Sequence, residues 1–355
     1  MSNELEKNVK NYYGQVLKTN KDLKTTACSF SESVPPKIQA LLNSIHPEVK
    51  EKFYGCGLIT PEAIEGAHIL DLGSGSGRDS FVLSALAGKN GKVVGIDMTQ
   101  EQIDVAIKHK KYHENLFGLE DNNLNFILGH IENLSECGLS PNTFDLIVSN
   151  CVINLVQNKE KVLKEAYDLL KIGGEFYFSD IYTNRRVPEH LTKNPLLHGE
   201  CLSGALYWND FFHMAKKVGF FDPRIVSSRP IDINNTEVKN LTDPIQFYSI
   251  TYRLFKIPNL EPACEDYGQA VCYKGTIQDS PDSFNLDENH LFPRDKFKEV
   301  CGNTYLILNQ TRFREHFDFV GTWDTHHGLY EDCGPRPLEQ NRQIDEMSIQ
   351  GSCCS

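Results

Sequence analysis

Hydrophobic positions along the chain change their period twice. Val9, Tyr12, Tyr13, Val16 and Leu17 recur at helical spacing, one face of a helix that Gly14 weakens. Pro35-Pro36 opens a second helical run with Ile38, Leu41, Leu42 and Ile45; Pro47 ends it and starts a third through Phe53. From residue 67 the pattern becomes short apolar runs: Ile69-Leu70, Val93-Val94-Gly95-Ile96, Phe126–Leu128, Phe144–Val148 and Phe176–Phe178. Helical stretches near 78–88, 100–114 and 158–171 separate most of them. This alternation predicts an α/β fold with a parallel sheet and right-handed crossovers. A helix at Trp208–Val218 and strands at Arg224–Ser228 and Gln246–Lys256 complete the unit. The expected domains are a helical extension over 1–60, an α/β unit over 61–257 and a small mixed C-terminal domain over 258–320. The last of these has only brief apolar runs, Gln269–Tyr273 and Thr304–Leu308. Residues 321–355 are polar with Gly and Pro, and read as a disordered tail.

Composition narrows the function. Of 355 residues, 40% are hydrophobic and 24% charged, the balance of a folded globular chain. A net charge of −12 argues against a nucleic-acid partner, because phosphate binding draws on clustered Lys and Arg. No run approaches the ~20 apolar residues of a spanning helix. Met1–Lys10 is polar and has no signal-peptide core, so the cytosol is the expected location. There glutathione keeps thiols reduced, and 11 cysteines then suggest buried side chains, a redox pair or a soft-ligand site.

The first strand runs into Asp71-Leu72-Gly73-Ser74-Gly75-Ser76-Gly77-Arg78. A dinucleotide fingerprint from Gly73 would need glycine where Arg78 stands, and a P-loop would need Gly-Lys-Ser/Thr. What is present, Asp-x-Gly-x-Gly-x-Gly, lets the backbone turn tightly under a ligand, with an acid placed to accept from an ammonium group. Asp97 follows Gly77 by 20 residues, the spacing of an acid that takes ribose hydroxyls. A plain tight βα turn capped by a polar residue is the alternative, and the ordered strand series argues against it. The pattern resembles motif I of the class I S-adenosylmethionine-dependent methyltransferases. That resemblance implies a Rossmann-like sheet and cofactor contacts from Tyr54, Asp71, Gly73, Ser74, Gly75, Gly77 and Gln102. It places Asp97 on the ribose, Met98 on the adenine, Ile131 and Glu132 at the adenine edge, and Asn150 over the methyl-donor site.

Four thiols sit in segments that could converge there: Cys28, Cys56, Cys151 directly after the fourth strand, and Cys201 in a loop after the fifth. Tyr12–Leu17, Tyr54–Leu58, Ser149–Leu155 and Gly199–Trp208 together resemble the animal arsenite methyltransferases over most of residues 8–257. The resemblance implies methylation of arsenite and methylated trivalent arsenicals in arsenic detoxification, with an arsenic-binding segment around 181–210. Cys151 and Cys201 would be the principal arsenic ligands and Cys56 the third, with Cys28 as its disulfide partner during turnover. Soft trivalent arsenic selects thiolates over carboxylates. Thioredoxin or glutathione would then restore the thiols. A monomer is expected. The Cys-poor middle and short tail depart from the relatives.

Cys137, Cys264, Cys272, Cys301 and Cys333 read as packing or exposed residues, Cys353-Cys354 as incidental and His326-His327 as solvated. Two other readings remain open at this level. One is a class I methyltransferase acting on a small organic acceptor; the other is a thiol-based metalloid binder with a vestigial methyl-donor site.

Overall fold

The computed structural model describes residues 34–331, apart from 54, 56, 57, 122, 193, 195, 196, 198–201 and 234. The expected helix around Tyr12 lies outside these residues. The chain enters through α1 (Pro36–Ser44) and α2 (Pro47–Glu51), each begun by proline at its first turn, as the sequence predicts. It then alternates strands and helices: β1 (His68–Leu72), α3 (Arg78–Ala87), β2 (Lys92–Asp97), α4 (Gln100–Phe117), β3 (Leu124–Leu128), β4 (Phe144–Asn150), α5 (Lys159–Leu169) and β5 (Leu170–Thr183). After the short α6 (Glu189–Thr192) come β6 (Leu206–Tyr207), α7 (Trp208–Val218), β7 (Arg224–Pro230), α8 (Thr236–Thr242) and β8 (Phe247–Phe255).

The main sheet runs β3-β2-β1-β4-β5-β8-β7, with β6 added beside the end of β5. Strands β1 to β5 are parallel, and β8 is antiparallel to both of its neighbours. Its strands read as continuous apolar runs because both faces are covered. On one face Leu70, Ile147, Phe176 and Phe178 pack with residues of α5 and α7; on the other Ile69, Val93 and Val148 pack with Phe81 of α3 and Ala106 of α4. The α5 pattern shows how one stripe suffices: Val162, Leu163, Ala166 and Leu169 are buried, and Asn158 caps the start by accepting from the Lys161 amide at 2.9 Å.

The strand order reverses at β1, whose neighbours are β2 and β4. That places a crevice outside the carboxyl ends of β1 and β4, where open α/β sheets bind ligands. Helix α2 leans over this end. Ser76 of the glycine loop donates to the Val49 carbonyl at 2.9 Å, and Glu48 meets both Lys108 and His109 of α4 at 2.7 Å.

The C-terminal unit has its own apolar cluster, with Val271, Tyr273, Phe284, Phe292, Ile307 and Phe313 gathered on Phe255 and Ile257. Its elements are β9 (Glu265–Asp266), β10 (Gln269–Tyr273), β11 (Ser283–Asn285), β12 (Leu291–Pro293), β13 (Phe297–Val300), α9 (Gly302–Gln310), β14 (Phe317–Val320) and β15 (Gly328–Leu329). Of the two apolar runs, Gln269–Tyr273 is the central strand of a β13-β10-β14 sheet, whereas Thr304–Leu308 is helical.

Order extends past residue 320, where the sequence predicts a disordered tail. Strand β15 pairs with β9, the Tyr330 amide donates to the Cys264 carbonyl at 2.8 Å, and His326 meets Glu265 at 3.0 Å. The polar composition misled because most of these contacts are backbone pairs and polar side-chain contacts, with Trp323 against Tyr267 and Tyr305 as the aromatic packing.

Fully buried Arg253 on β8 fastens this unit to the sheet. Its Nε donates to Glu175 at 2.7 Å and one terminal nitrogen to the Leu286 carbonyl at 2.6 Å. Arg312 reaches the other Glu175 oxygen at 2.6 Å. A buried charge set of this kind is tolerated only when each member is paired. It lies toward the amino end of β5, away from the crevice.

Candidate active site

A cavity of about 420 Å³ opens at the carboxyl ends of β1, β2, β3 and β4, within the range of small-ligand sites. Its walls are the loops that the sequence singles out. Asp71, Gly73, Ser74, Gly75, Asp97, Met98, Gln102, Ile131, Glu132, Asn150 and Cys151 all line it. Tyr54, Cys28, Cys56 and Cys201 lie outside the described residues. Gly77 is placed differently from the expectation: it stands behind the wall, beginning α3 at φ 91°, with the Phe126 ring where a Cβ would go.

The glycine loop folds back over its own neighbours. The Gly73 and Ser74 amides donate to the Ile96 carbonyl at 2.7 and 2.9 Å, tying the end of β1 to β2. Gly73 has φ 71°, and a Cβ there would meet the Val152 side chain at 2.4 Å, so only glycine fits both the turn and the close approach. The Gly75 amide donates to Asp97 Oδ2 at 2.9 Å, and the Thr99 amide to Oδ1 at 2.8 Å. Asp97 is thus held by backbone at the cavity edge. Burial raises its pKa above the usual carboxylate range, against these hydrogen bonds.

Asp71 is buried, and its carboxyl is pushed up to about 7, first by burial and then by the charge of Asp79. Ser80 Oγ donates to it at 2.5 Å, opposing the rise. Asp79 itself takes the Asn150 amide at 2.7 Å and Arg78 Nε at 2.7 Å, which fixes the Asn150 side chain on the cavity wall. A pocket floor whose carboxyl resists ionisation is suited to a cationic ligand group, which would favour its charged form.

Two further atoms point to a polar ligand. Ser74 Oγ and Gln102 Oε1 are buried on the cavity wall without a hydrogen-bond partner. Buried polar atoms are normally satisfied, so these two fit a molecule that offers its own donors and acceptors. The donor set, with acids at the ends of β1 and β2, suits S-adenosylmethionine, which carries an ammonium group and ribose hydroxyls. No phosphate cradle is present among the described residues of this loop.

Cys151 closes the far wall. It is 4% exposed, its amide donates to the Ser179 carbonyl at 2.8 Å, and it packs with Ile181, Leu202 and Ala205. Its backbone is left-handed at φ 60°, a conformation that costs a non-glycine residue roughly 1–2 kcal/mol. Such strain persists where surrounding structure over-determines it, commonly at functional positions. Cys151 is disulfide-bonded, while Cys137, Cys264, Cys272 and Cys301 are in no disulfide. Cys272 and Cys301 are buried, and burial raises the Cys137 and Cys272 thiols, which keeps them poor nucleophiles.

Sequence reasoning missed several wall residues: Lys52, Phe53 and Gly55 after α2, Thr99, and Gln157, Asn158 and Lys161 before and within α5. The first group carried a signal, since it precedes β1 directly. The α5 group carried none, because a helix start two segments away joins the wall only through the fold: Glu132 accepts from the Asn158 amide at 2.8 Å. Among the described residues that line the cavity, none comes from beyond Lys161.

Comparison with known proteins agrees with this geometry. Residues 64–219 match the family described as "Methyltransferase domain", and 267–355 the "Arsenite methyltransferase C-terminal domain". The chain is 49% identical over 350 residues to an arsenite methyltransferase of Aquipseudomonas alcaligenes, covering 99% of this chain and 100% of that one. It is 45% identical over 317 residues to the arsenite methyltransferase of Homo sapiens, covering 88% and 83%. The crystal structure of CrArsM, an arsenic (III) S-adenosylmethionine methyltransferase from Chlamydomonas reinhardtii, superposes with a TM-score of 0.82 at 46% identity, covering 84% of this chain and 100% of that one. With a shared fold, a shared C-terminal domain and this identity over nearly its whole length, the chain belongs to the arsenite methyltransferase family.

Proposed function

We infer that the chain methylates trivalent arsenic from S-adenosylmethionine, and that Cys151 binds the arsenic as a thiolate with Cys201 and Cys56. The single observation that carries the thiol part is Cys151 itself, a strained cysteine in the wall of the cofactor cavity. When bound, S-adenosylmethionine supplies an electrophilic sulfonium methyl group, and the arsenic lone pair is the acceptor. The chain's own part is placement. Asp71 faces the cofactor's cationic end, Asp97 is preset by two backbone amides for hydroxyls, and Asn150 is locked by Asp79. Fixing both reactants in this way can supply up to about 7–11 kcal/mol of the barrier. No general base is required, because arsenic loses no proton on gaining the methyl.

The electrons must balance. Gaining a methyl cation through its lone pair takes arsenic from the trivalent to the pentavalent state. Two thiolates return it to the trivalent state by becoming a disulfide, and thioredoxin or glutathione reduces that disulfide by exchange. Cys28 with Cys56 is the pair proposed for this step. The disulfide at Cys151 supports a redox part for that thiol too, and means that it must be reduced before it can ligate arsenic. The cytosol, where such reductants are kept, and a monomeric state belong to the same reading. Among the described residues no helix is long and apolar enough to cross a membrane.

The test is turnover counting. Fully reduced protein, freed of reductant and mixed with arsenite and S-adenosylmethionine, is expected to stop after about one methyl transfer per chain and to resume on adding thioredoxin with its reductase. Continued turnover without reductant would contradict the redox assignment.

A further inference from the structure

Asn154 stands at the point where the two thiol-bearing segments meet. It closes the turn after Cys151 and is 2% exposed. On one side Asp180, at the carboxyl end of β5, is wholly buried. Its Oδ2 accepts from the Asn154 amide at 3.0 Å, and its Oδ1 from the Asn154 side chain at 2.7 Å and the Ile181 amide at 2.8 Å. The Asn154 side chain also donates to the Ile181 carbonyl at 2.6 Å. On the other side lies Gly204, so close that a Cβ would stand 2.0 Å from the Asn154 carbonyl oxygen. Gly204 sits between Leu202 and Ala205, both of which pack with Cys151.

Neither Asp180 nor Asn154 lines the cavity, and the cofactor reading gives them no part. Yet a buried carboxylate is costly, and this one takes two of its hydrogen bonds from a single residue of a short turn. The same turn holds the left-handed backbone of Cys151. A strained residue keeps its geometry only where its surroundings leave no alternative.

Resting on the arsenic-methylating reading, we propose that Asp180 and Gly204 are positioning residues that clamp Asn154 between them. They thereby hold the Cys151 turn against the segment that follows Cys201. Asp180 fixes the turn from the sheet side, and the missing side chain at Gly204 lets the second segment close on it. The clamp sets the distance between the two arsenic-binding segments without touching either substrate. Val152 and Leu155 of the same turn line the cofactor cavity, but Asp180, Asn154 and Gly204 do not, so the larger effect falls on arsenic affinity.

The experiment compares wild type with Asp180→Asn and Gly204→Ala, all reduced. Calorimetry reads S-adenosylmethionine, and phenylarsine oxide serves as a trivalent arsenical that bridges two thiolates. Asp180→Asn keeps the shape but offers a donor where Asn154 needs an acceptor. Gly204→Ala pushes the second segment off the first without altering any charge. Both are expected to bind the arsenical at least about tenfold more weakly, with cofactor affinity within about twofold of wild type and a raised KM for arsenite. General unfolding would instead lower both affinities together, and that result, or wild-type arsenical affinity in both variants, would overturn the clamp. A wild-type protein that fails to take phenylarsine oxide would refute the functional reading, whatever the variants do.

Discussion

Cys151→Ser is expected to lower arsenite methylation at least about a hundredfold while leaving S-adenosylmethionine affinity within about twofold. The substitution is close to isosteric, so the 4% exposed site keeps its packing against Ile181, Leu202 and Ala205. What changes is the ligand. A serine hydroxyl is hard and protonated at neutral pH, whereas trivalent arsenic is soft and binds thiolate. Cys151 lines the cofactor cavity too, but the near-isosteric swap keeps its wall. The hydrogen bonds that shape the cofactor side run through Asp97, Asp79 and the glycine loop. Initial rates with arsenic speciation, paired with calorimetry of the cofactor, read the two effects separately. A variant that methylates near the wild-type rate would favour a small organic acceptor and remove arsenic from Cys151.

The second large effect is a pH dependence of cofactor binding set by Asp71. Its carboxyl is raised to about 7 by burial, next by Asp79 and then slightly by Asp97, with Ser80 and Arg78 opposing. The folded chain therefore holds a proton that the unfolded chain has lost between the ordinary carboxylate range and about pH 7. In that window the group's contribution to stability falls as pH rises. A cationic ligand reverses the preference, since it binds the ionised form. Cofactor affinity is expected to weaken as pH falls below about 7, approaching tenfold per unit and reaching about fiftyfold between pH 7 and pH 5. Over this range the cofactor's α-amino group stays protonated, so the slope belongs to the protein. Calorimetry in buffers of different ionisation enthalpy should show proton release on binding near pH 6, and Asp71→Asn should flatten the profile. A flat wild-type profile would mean that Asp71 does not face the cationic group.

Much of this site is legible in the chain because it lies in short, local phrases. Asp71 to Gly77 and Asp97 are read from a strand, a turn and a spacing, and the fold brings them together by placing β1 beside β2. Cys151 is legible for the same reason: it follows β4 directly, and β4 pairs with β1. What the sequence hides is non-local. The clamp of Asp180 on Asn154 joins residues 26 apart, and nothing in either phrase announces it. Gly204 reads as an ordinary loop glycine until the Asn154 carbonyl is found where its Cβ would be. The C-terminal unit was hard to read because its brief apolar runs need Phe255, Ile257 and the Arg253–Glu175–Arg312 cluster, all supplied wholly or partly by the sheet. Strand β15 is similarly invisible, being held by pairing with β9 and not by an apolar stripe of its own.

Every role proposed for the thiols depends on arsenic being the methyl acceptor. The most direct measurement is to incubate the purified, reduced protein with arsenite, S-adenosylmethionine and a thiol reductant, and to speciate the arsenic over time. Methylated trivalent arsenicals are predicted, appearing in step with loss of the methyl donor. Folded protein that binds S-adenosylmethionine but leaves arsenite unmethylated would contradict it.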